Sequence, residues 1–312
     1  MSQGIYFKKL GLWLDGRVLS GFSFISHGHL DHLFPHKRLI ATPPTYEVYK
    51  LRIKLPAEEA IILKYGEILE WKDYSITLFP SGHILGSSQI LIEDKERLIY
   101  TGDIRLKKNL SSEPIEIKSC DTLIIEATYG NPQYIFPPQE EIYSQIREEI
   151  IRAKDRGEVP IIFAYPLGKA QEIMKVMEIL GFSYSVDVNI KRYAEVYKKF
   201  GIGFKSLRTI GQGWGDVLIL TYSPRFDKFL SKLKKKRTIL LTGWGMNPKA
   251  KYIYGVDSVI PLSSHADYQD LLKYIEKAGP KRIFITHGFE EFVYDLKRRG
   301  YDAKPLSKFK DI

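Results

Sequence analysis

The chain of 312 residues has a single cysteine, Cys120, so no disulfide can form within it. The same scarcity excludes a zinc site built from cysteines, and any metal must be held by histidines and carboxylates. No apolar run approaches the ~20 residues that a membrane-spanning helix needs. The first residues, MSQGIYFKKLG, contain no apolar stretch of the signal-peptide type. We therefore expect a cytoplasmic protein without a membrane partner.

The charge balance is basic. Lys and Arg number 47 against 37 Asp and Glu, which gives a net charge of +10. An excess of this size favours a polyanionic partner, because phosphate contacts release counterions. A lysine-rich solvent-facing surface would give the same balance, so charge alone does not identify the partner.

The first part of the chain has the pattern of β-strands. Short runs rich in β-branched and aromatic residues predict strands at FSFIS (22–26), SITLFP (75–80), RLIYTG (97–102) and TLIIEA (122–127), with few long helices between them. The segment GNPQYIFPPQ (130–139) follows, with three prolines, and predicts a linker.

Beyond the linker, strands alternate with helices. Apolar periodicity predicts helices over 140–153, 169–180, 192–200 and 223–236, and strands over 159–166, 216–223 and 237–243. This alternation is typical of a parallel sheet with helices on its faces. The last part of the chain again contains short β runs, at 257–265 and 281–287. Amphipathic helices are predicted at 267–279 and 290–300. We therefore expect a small α/β domain inserted into a β-rich one.

Histidines are few but concentrated. Of seven in the chain, three lie within HGHLDH, as His27, His29 and His32, together with Asp31. We expect His27 and His29 to end a strand and point the same way. The chain must then turn, at the start of a helix, so that Asp31 and His32 approach from another direction. One pair can hold one metal and the second pair a neighbouring metal.

Other potential ligands each follow an apolar β run: His83, Asp103, His265 and His287. If these runs share one sheet edge, the side chains converge there. A lone histidine is usually a hydrogen-bonded structural residue, but chance does not explain the whole set. Ligands of this kind suit Zn²⁺, with Mn²⁺ or Fe²⁺ as alternatives. Two such ions about 3.5–4 Å apart can clamp a phosphoryl group, and the Asp103 carboxylate is the natural bridge between them.

These motifs resemble the metallo-β-lactamase superfamily. HGHLDH is similar to its H-x-H-x-D-H signature, and Asp15 in WLDG, His83 in SGHILGSSQ and Asp103 in TGD are similar to its other motifs. Three further segments resemble the additional motifs of the β-CASP nucleases. They are IIEATYG with Glu126, SSHAD with His265 and ITHG with His287. AYPLGKAQE (164–172) resembles the segment that opens the β-CASP cassette.

The resemblance covers nearly the whole chain. It implies an α/β protein, a metallo-β-lactamase αββα sandwich with an inserted small α/β (β-CASP) cap domain. On this basis, residues 1–132 and 259–312 would form the metallo-β-lactamase domain. Residues 133–258 would form the inserted one.

The resemblance also implies roles for the site residues. His27, His29 and His83 would bind one zinc ion, Asp31, His32 and His287 a second, and Asp103 would bridge the two. Asp15 would orient a ligand of the HGHLDH loop. His265 would donate a proton to the leaving 3′ oxygen with Glu126 holding its ring, because a carboxylate partner raises a histidine's pKa. Asp31 and Asp103 count as catalytic as well as ligating residues.

Three residues of the inserted stretch are predicted to bind nucleic acid. Lys169 stands at a turn between a strand and a helix, where backbone N–H groups also favour phosphate. Gly243 and Trp244 form the TGW element, and Trp244 could stack on a base. Core packing is the alternative for the aromatic ring.

The predicted function is a dinuclear-zinc phosphodiesterase that hydrolyses single-stranded nucleic acid. In the β-CASP family a histidine at the position of His287 goes with RNA-cutting members, which favours RNA processing. SGHILGSSQ, TGW and SSHADYQDLL instead resemble short exonuclease-like members linked to a DNA ligase. The alternatives are therefore a DNA exonuclease of a repair pathway, a small-molecule metallo-hydrolase, or a scaffold without activity. The RNA-processing interpretation implies partners from an RNA-processing pathway. The DNA-repair interpretation implies partners from a DNA-ligase pathway.

Overall fold

The computed structural model describes residues 4–19, 21–55 and 57–306. The chain divides into two compact units. Unit 1 contains Met1–Tyr134 and His265–Ile312, and unit 2 contains Ile135–Ser264. The sequence predicts the divisions after residues 132 and 258, so the second one lies six residues further along in the structure.

Unit 1 contains two sheets. Its N-terminal part provides ten strands and one helix: Ile5–Phe7 (β1), Leu12–Leu14 (β2), Phe22–Phe24 (β3), Arg38–Ala41 (β4), Pro43–Arg52 (α1), Glu59–Ile62 (β5), Ile68–Trp71 (β6), Tyr74–Pro80 (β7), Ser88–Glu93 (β8), Arg97–Tyr100 (β9) and Thr122–Ala127 (β10). Its C-terminal part adds Tyr268–Ala278 (α7), Arg282–Gly288 (β17), Glu290–Arg298 (α8) and Ala303–Pro305 (β18).

The first sheet has five strands in the order β1-β2-β3-β4-β5, and the second has seven in the order β18-β17-β10-β9-β8-β7-β6. The two sheets face each other across one apolar core, in which Phe24 and Ile40 of the first sheet pack with Ile90 and Ile124 of the second. Burial of this interior is the main stabilising contribution, at roughly 25 cal/mol per Å² of apolar surface.

Helices cover the outer faces of both sheets in unit 1. Tyr49 of α1 packs beside Leu39 of the first sheet. Tyr274 of α7 and Phe292 of α8 pack in the core beyond the second sheet. The order of layers is therefore helix, sheet, sheet, helix, which is the αββα sandwich expected from the sequence.

Unit 2 is an α/β unit with one sheet. Its elements are Gln139–Asp155 (α2), Val159–Phe163 (β11), Lys169–Leu180 (α3), Tyr184–Val186 (β12), Val188–Lys199 (α4), Arg208–Thr209 (β13), Val217–Leu220 (β14), Asp227–Ser231 (α5), Lys236–Leu241 (β15), Ala250–Tyr254 (α6) and Ser258–Ile260 (β16). The six strands run in the order β13-β12-β14-β11-β15-β16, and every pair is parallel. The carboxyl ends of all six strands therefore lie along one edge.

Two elements differ from the sequence prediction for physical reasons. The helix predicted over 223–236 is reduced to a 3₁₀ turn and the five residues of α5, because Lys236 already belongs to β15 and pairs with Val159. The β run predicted over 257–265 is limited to β16, which pairs with β15 and so belongs to unit 2. This pairing moves the boundary between the units beyond residue 258.

One helix of unit 1 was not predicted. Thr42 caps the start of helix α1, because its hydroxyl accepts a hydrogen bond from the amide N–H of Thr45, and prolines occupy the first helical positions. Proline is favoured at the first helical position because its missing N–H would have no partner there. None of the helices in the described part of the chain is both long and apolar enough to cross a membrane.

Candidate metal centre

The HGHLDH segment is a loop held close to its strand. Strand β3 ends at Phe24, so His27 and His29 follow the strand rather than end it. The expected helix start at Asp31 is wrong. The chain makes a turn instead, in which the amide N–H groups of His32 and Leu33 both donate to the carbonyl of His29. The turn nevertheless brings His32 back toward His27, with 4.2 Å between the ring centroids.

The carboxylate of Asp15 orients this loop through several hydrogen bonds. Its Oδ2 lies 2.6 Å from Nδ1 of His32 and accepts hydrogen bonds from the hydroxyls of Ser26 and Tyr100 at 2.6 and 2.7 Å. Its Oδ1 accepts the amide N–H of Ser26 at 2.7 Å. The Ser26 hydroxyl also contacts Nδ1 of His27 at 2.9 Å. Asp15 therefore fixes His32 directly and His27 through Ser26.

An Asp15→Asn variant is expected to bind zinc about 10–100-fold more weakly, which is the usual cost of losing a partner that orients a ligand. Asp15 has a φ of 47°, and asparagine tolerates this left-handed conformation, so the change removes charge without adding backbone strain. Zinc affinity can be measured by competition with a coloured chelator. Asp94→Asn, at an exposed carboxylate, is the control. Equal affinities in the two variants would contradict an orienting role for Asp15.

Four donors converge beside this loop. Ligand atoms of His27, His29, His83 and Asp103 all lie within 4.8 Å of one another. Oδ2 of Asp103 is 3.4 Å from Nε2 of His27 and 3.6 Å from Nε2 of His83. These side chains follow β3, β7 and β9, which belong to both sheets of unit 1. The runs before His83, Asp103 and His287 share the second sheet, as the expectation of one sheet edge requires, whereas the run before His265 is β16 of unit 2. His27 and His29 come from the first sheet, so the facing of two sheets completes the group of donors.

The donors fit a cation. Nε2 of His27 and Oδ1 of Asp103 are buried and have no hydrogen-bond partner among the described residues. Buried polar atoms without partners are costly, and both atoms belong to the same cluster of potential ligands. Nitrogen and carboxylate donors without sulfur match the preference of Zn²⁺.

Burial and neighbouring charges shift the pKa values of the histidines and the aspartate in this cluster. Burial, followed by the neighbouring histidines His32 and His83, lowers the pKa of His27 well below its usual value, so this ring is neutral and able to ligate. Burial raises the pKa of Asp103, and the charge of His32 offsets this only in part. Burial opposes the protonation of His32, but Asp103 and Asp15 outweigh it and raise the pKa to about 10.

A second group of donors shares Asp103. Ligand atoms of Asp103, Glu126 and His287 lie within 4.8 Å of one another. On another side, Nε2 of His32 is 3.4 Å from Oδ1 of Asp103 and 3.8 Å from Asp31, whose side chain is 73% exposed. The structure thus places His32 beside Asp103 with Asp31 next to His32, and it places His287 beside Asp103 and Glu126.

His265 and Glu126 form a close pair. Nδ1 of His265 lies 3.0 and 3.1 Å from the two carboxylate oxygens of Glu126. The His265 ring is also 4.7 Å from that of His83, centroid to centroid. Glu126 is fully buried, and although burial raises its pKa, the charge and hydrogen bond of His265 lower it to about 2. The carboxylate therefore remains ionised and holds the imidazole beside the donors.

Thr128 joins Glu126 to His287. Its hydroxyl bonds to Oε2 of Glu126 and lies 3.2 Å from Nε2 of His287. The sequence motif IIEATYG contains Thr128, but nothing in the pattern predicts this bridge. Tyr100 and Ser26 were likewise missed. The only feature of the sequence that could have indicated Tyr100 and Ser26 is a polar group within or beside an otherwise apolar strand.

The backbone around His287 requires glycine. Gly288 has a φ of 124° and pairs with Ala127, and a Cβ at this position would lie 1.9 Å from the Ala127 carbonyl oxygen. Because β10 carries Glu126 and β17 carries His287, this close approach sets the distance between the two side chains.

Gly288→Ala is expected to lower the urea midpoint of unfolding and the zinc content, because β10 and β17 must separate to admit the methyl group. Gly279→Ala is the matched control, since Gly279 also has a positive φ, 57°, but nothing lies within 4 Å of a Cβ there. A left-handed non-glycine residue costs about 1–2 kcal/mol by itself. Equal losses in both variants would mean that the contact with Ala127 has no effect.

The residues predicted to bind nucleic acid lie in unit 2. Lys169 begins α3, and its Nζ donates to the carbonyl of Leu241 at 3.3 Å. Gly243 and Trp244 begin a 3₁₀ turn after β15. Gly243 is buried, whereas the Trp244 side chain is partly exposed, so core packing does not account for its ring.

Comparison with known proteins is consistent with this geometry. Residues 253–307 match the RMMBL family, described as the Zn-dependent metallo-hydrolase RNA specificity domain. A "Probable DNA ligase" of Opitutus terrae is 35% identical over 97% of this chain, which spans only 30% of that protein. "Probable RNase MJ4" of Methanocaldococcus jannaschii is 25% identical, over 90% of this chain and 85% of the relative. An "RNase J-like protein" of the same organism is 26% identical, over 85% of this chain and 80% of the relative.

The chain belongs to the β-CASP family of the metallo-β-lactamase superfamily. In the terms of this family, unit 1 is the metallo-β-lactamase sandwich and unit 2 is the inserted domain. The β-CASP motifs contribute Glu126, His265 and His287, and all three stand beside Asp103 of the superfamily motifs.

Proposed function

We propose that this β-CASP protein is a zinc-dependent nuclease that hydrolyses phosphodiester bonds of single-stranded RNA. The observation that carries the proposal is the convergence of metal donors with a histidine–carboxylate pair. Asp103 contacts the donors His27 and His83, and its Oδ2 is also 3.9 Å from Nδ1 of His265. A metal clamp and a proton donor within one small region are the groups that metal-dependent hydrolysis of a phosphodiester uses.

The chain offers donors for two zinc ions around Asp103. His27, His29 and His83 would hold one ion, and Asp31, His32 and His287 the other, with Asp103 shared between them. Bound zinc supplies Lewis acidity to a phosphoryl oxygen and makes water a stronger nucleophile at neutral pH. Two groups of potential ligands share Asp103, and this supports a count of two ions, although the second group contains Glu126 with His287 and neither Asp31 nor His32.

His265 is assigned the transfer of a proton to the leaving group. The ionised Glu126 accepts a hydrogen bond from Nδ1 of His265, which fixes this tautomer and leaves proton transfer to Nε2. As the bond between phosphorus and the 3′ oxygen breaks, the proton passes from His265 to that oxygen, and a water oxygen forms the new bond to phosphorus. One proton of that water passes to the solvent, and the solvent returns a proton to His265. The products are a 5′ phosphate and a 3′ hydroxyl.

RNA is the favoured substrate. Residues 253–307, which contain both His265 and His287, match the family described as an RNA specificity domain, and two archaeal relatives are named as RNases. DNA is the second candidate, because the relative with 35% identity is named as a DNA ligase. Partners in an RNA-processing or DNA-ligase pathway follow from these two alternatives.

The test is a cleavage assay on end-labelled single-stranded RNA and DNA of one sequence, with Zn²⁺ or Mn²⁺. An Asp31→Ala/His32→Ala double variant and a sample with EDTA are the controls. RNA cleavage that is lost in both controls is the expected result. Cleavage of DNA alone would favour the repair function, and cleavage of neither, with zinc bound, would contradict a nuclease.

A further inference from the structure

Exposed aromatic side chains follow three neighbouring strands of unit 2. Tyr165 follows β11, Tyr222 follows β14 and Trp244 follows β15, and they are 44%, 49% and 39% exposed. In the order β14-β11-β15 these strands are adjacent, about 4.8 Å apart, so the three residues follow successive strands along the carboxyl edge. The Tyr222 ring packs edge-on against Phe163, and its hydroxyl donates to the carbonyl of Tyr254. Large exposed aromatic residues in such a row are suited to stacking on bases.

The same edge continues into a cavity of about 550 Å³. It lies at the carboxyl ends of β12, β13 and β14, which are neighbours in the sheet. Small-molecule sites have volumes of about 300–1,000 Å³ and occur in parallel sheets at the carboxyl ends of strands. None of the roles assigned above to the metal centre uses this cavity.

The lining of the cavity suits a flat, mainly apolar ring. Phe226, Phe229 and Ile210 provide apolar walls, and the Arg225 guanidinium lies 4.6 Å from the centroid of the Phe226 ring. Arg225 also donates to Asp187 at 2.9 Å.

The negative charge of Asp187, the carboxylate that lines the cavity, is balanced by hydrogen-bond donors of the protein. Besides Arg225, Asp187 accepts bonds from the amide N–H groups that begin α4 and from the backbone and hydroxyl of Thr221. The cavity therefore presents no uncompensated negative charge to an anionic ligand.

Unit 2 carries most of the net positive charge of the protein. It holds 21 Lys and Arg against 13 Asp and Glu, a net charge of +8 out of +10 for the whole chain. Lys169 contributes to this excess at the carboxyl edge itself, whereas the charge of Arg225 is paired with Asp187. A polyanion is thus attracted to the unit that has the aromatic row and the cavity.

We propose that the cavity lined by Phe226, Phe229 and Arg225 binds an unstacked base of a single-stranded nucleic acid whose neighbouring bases stack along Tyr222, Tyr165 and Trp244. The inference rests on the proposed function for the class of substrate. It adds a base-binding site to unit 2 in addition to the metal centre of unit 1.

Gly211 allows the cavity to be filled without strain. It lines the cavity, its φ is not in the left-handed region, and nothing lies within 4 Å of a Cβ built on it. Gly211→Leu is expected to weaken the binding of single-stranded RNA about tenfold, within the range reported for loss of one stacked base. Gly203→Leu is the matched control, since Gly203 has equal space for a Cβ but does not line the cavity.

The experiment uses the full chain in EDTA, so that bound RNA is not cut. Fluorescence anisotropy of labelled RNA gives the affinity, and RNA that contains 5-iodouridine is crosslinked and mapped by mass spectrometry. The expected result is a crosslink to Phe226 or Phe229 that Gly211→Leu abolishes and Gly203→Leu retains. Unchanged affinity in Gly211→Leu, or crosslinks confined to other residues, would overturn the site.

Two further measurements separate the possible failures. Uridine monophosphate is added as a competitor, and displacement of the strand from the cavity at equal concentration would identify a free-nucleotide site instead of a strand site. RNA cleavage with Zn²⁺ is measured in the same preparations. Intact cleavage with unchanged binding in Gly211→Leu overturns only the base site, whereas absence of cleavage in the unmodified protein overturns the proposed function.

Discussion

An Asp103→Ala variant is expected to lose RNA cleavage and most of its bound zinc. Asp103 is the residue shared by both groups of donors, and its carboxylate lies 3.4 Å from ring nitrogens of both His27 and His32. Removing an outer partner of a ligand already costs about 10–100-fold in metal affinity or activity, and removal of the shared ligand must cost more.

Zinc content by elemental analysis and cleavage of labelled RNA are the two measurements for Asp103→Ala. Because Asp103 is buried among histidines, the variant could fail to fold, so its circular dichroism is compared with that of the unmodified protein. Asp302→Ala, at an exposed carboxylate, is the control. A folded Asp103→Ala protein with full zinc content and full cleavage would contradict the dinuclear mechanism.

His265→Ala and Glu126→Gln are each expected to reduce cleavage by about 10²–10⁴-fold, the usual contribution of general acid catalysis, while zinc content stays unchanged. Glu126 acts through His265, so the double variant should be about as slow as either single variant. This non-additivity distinguishes one catalytic pair from two independent residues.

Zinc content separates the two roles that the geometry allows for Glu126. The carboxylate lies beside His265, but it also lies within 4.8 Å of donor atoms of Asp103 and His287. If Glu126→Gln loses zinc whereas His265→Ala retains it, Glu126 is a metal ligand and the pairing with His265 is secondary. Equal retention of zinc in both variants supports the catalytic pair.

Much of the inserted unit was predictable because its patterns are local. The helix α3 spans 169–180, as apolar periodicity predicts. In unit 1, the strand β10 spans 122–127, as its run of β-branched residues predicts. Local patterns failed where pairing with a distant strand decided the outcome. Lys236 lies in a helical pattern by its neighbours, yet it pairs with Val159 of β11 and is a strand residue.

The potential metal donors could be listed from the sequence because few residue types bind zinc and this chain has only seven histidines. The sequence did not show which of these donors and their hydrogen-bond partners lie together in space. His265 and Glu126 are 139 positions apart, and Tyr100 reaches Asp15 across 85 positions. The pairing of Thr128 with both Glu126 and His287 likewise depends on the parallel register of β10 and β17.

The sequence alone determined the chemistry available to this protein: nitrogen and carboxylate donors, no cysteine cluster, and an excess of positive charge. Only the tertiary structure decided that Asp103 is shared by two donor groups and that the cavity of unit 2 lies beside its exposed aromatic row. The physical reason is that residue types fix which interactions are possible, whereas sheet register and the packing of two sheets fix the distances. Chemistry at a metal depends on those distances within a fraction of an ångström.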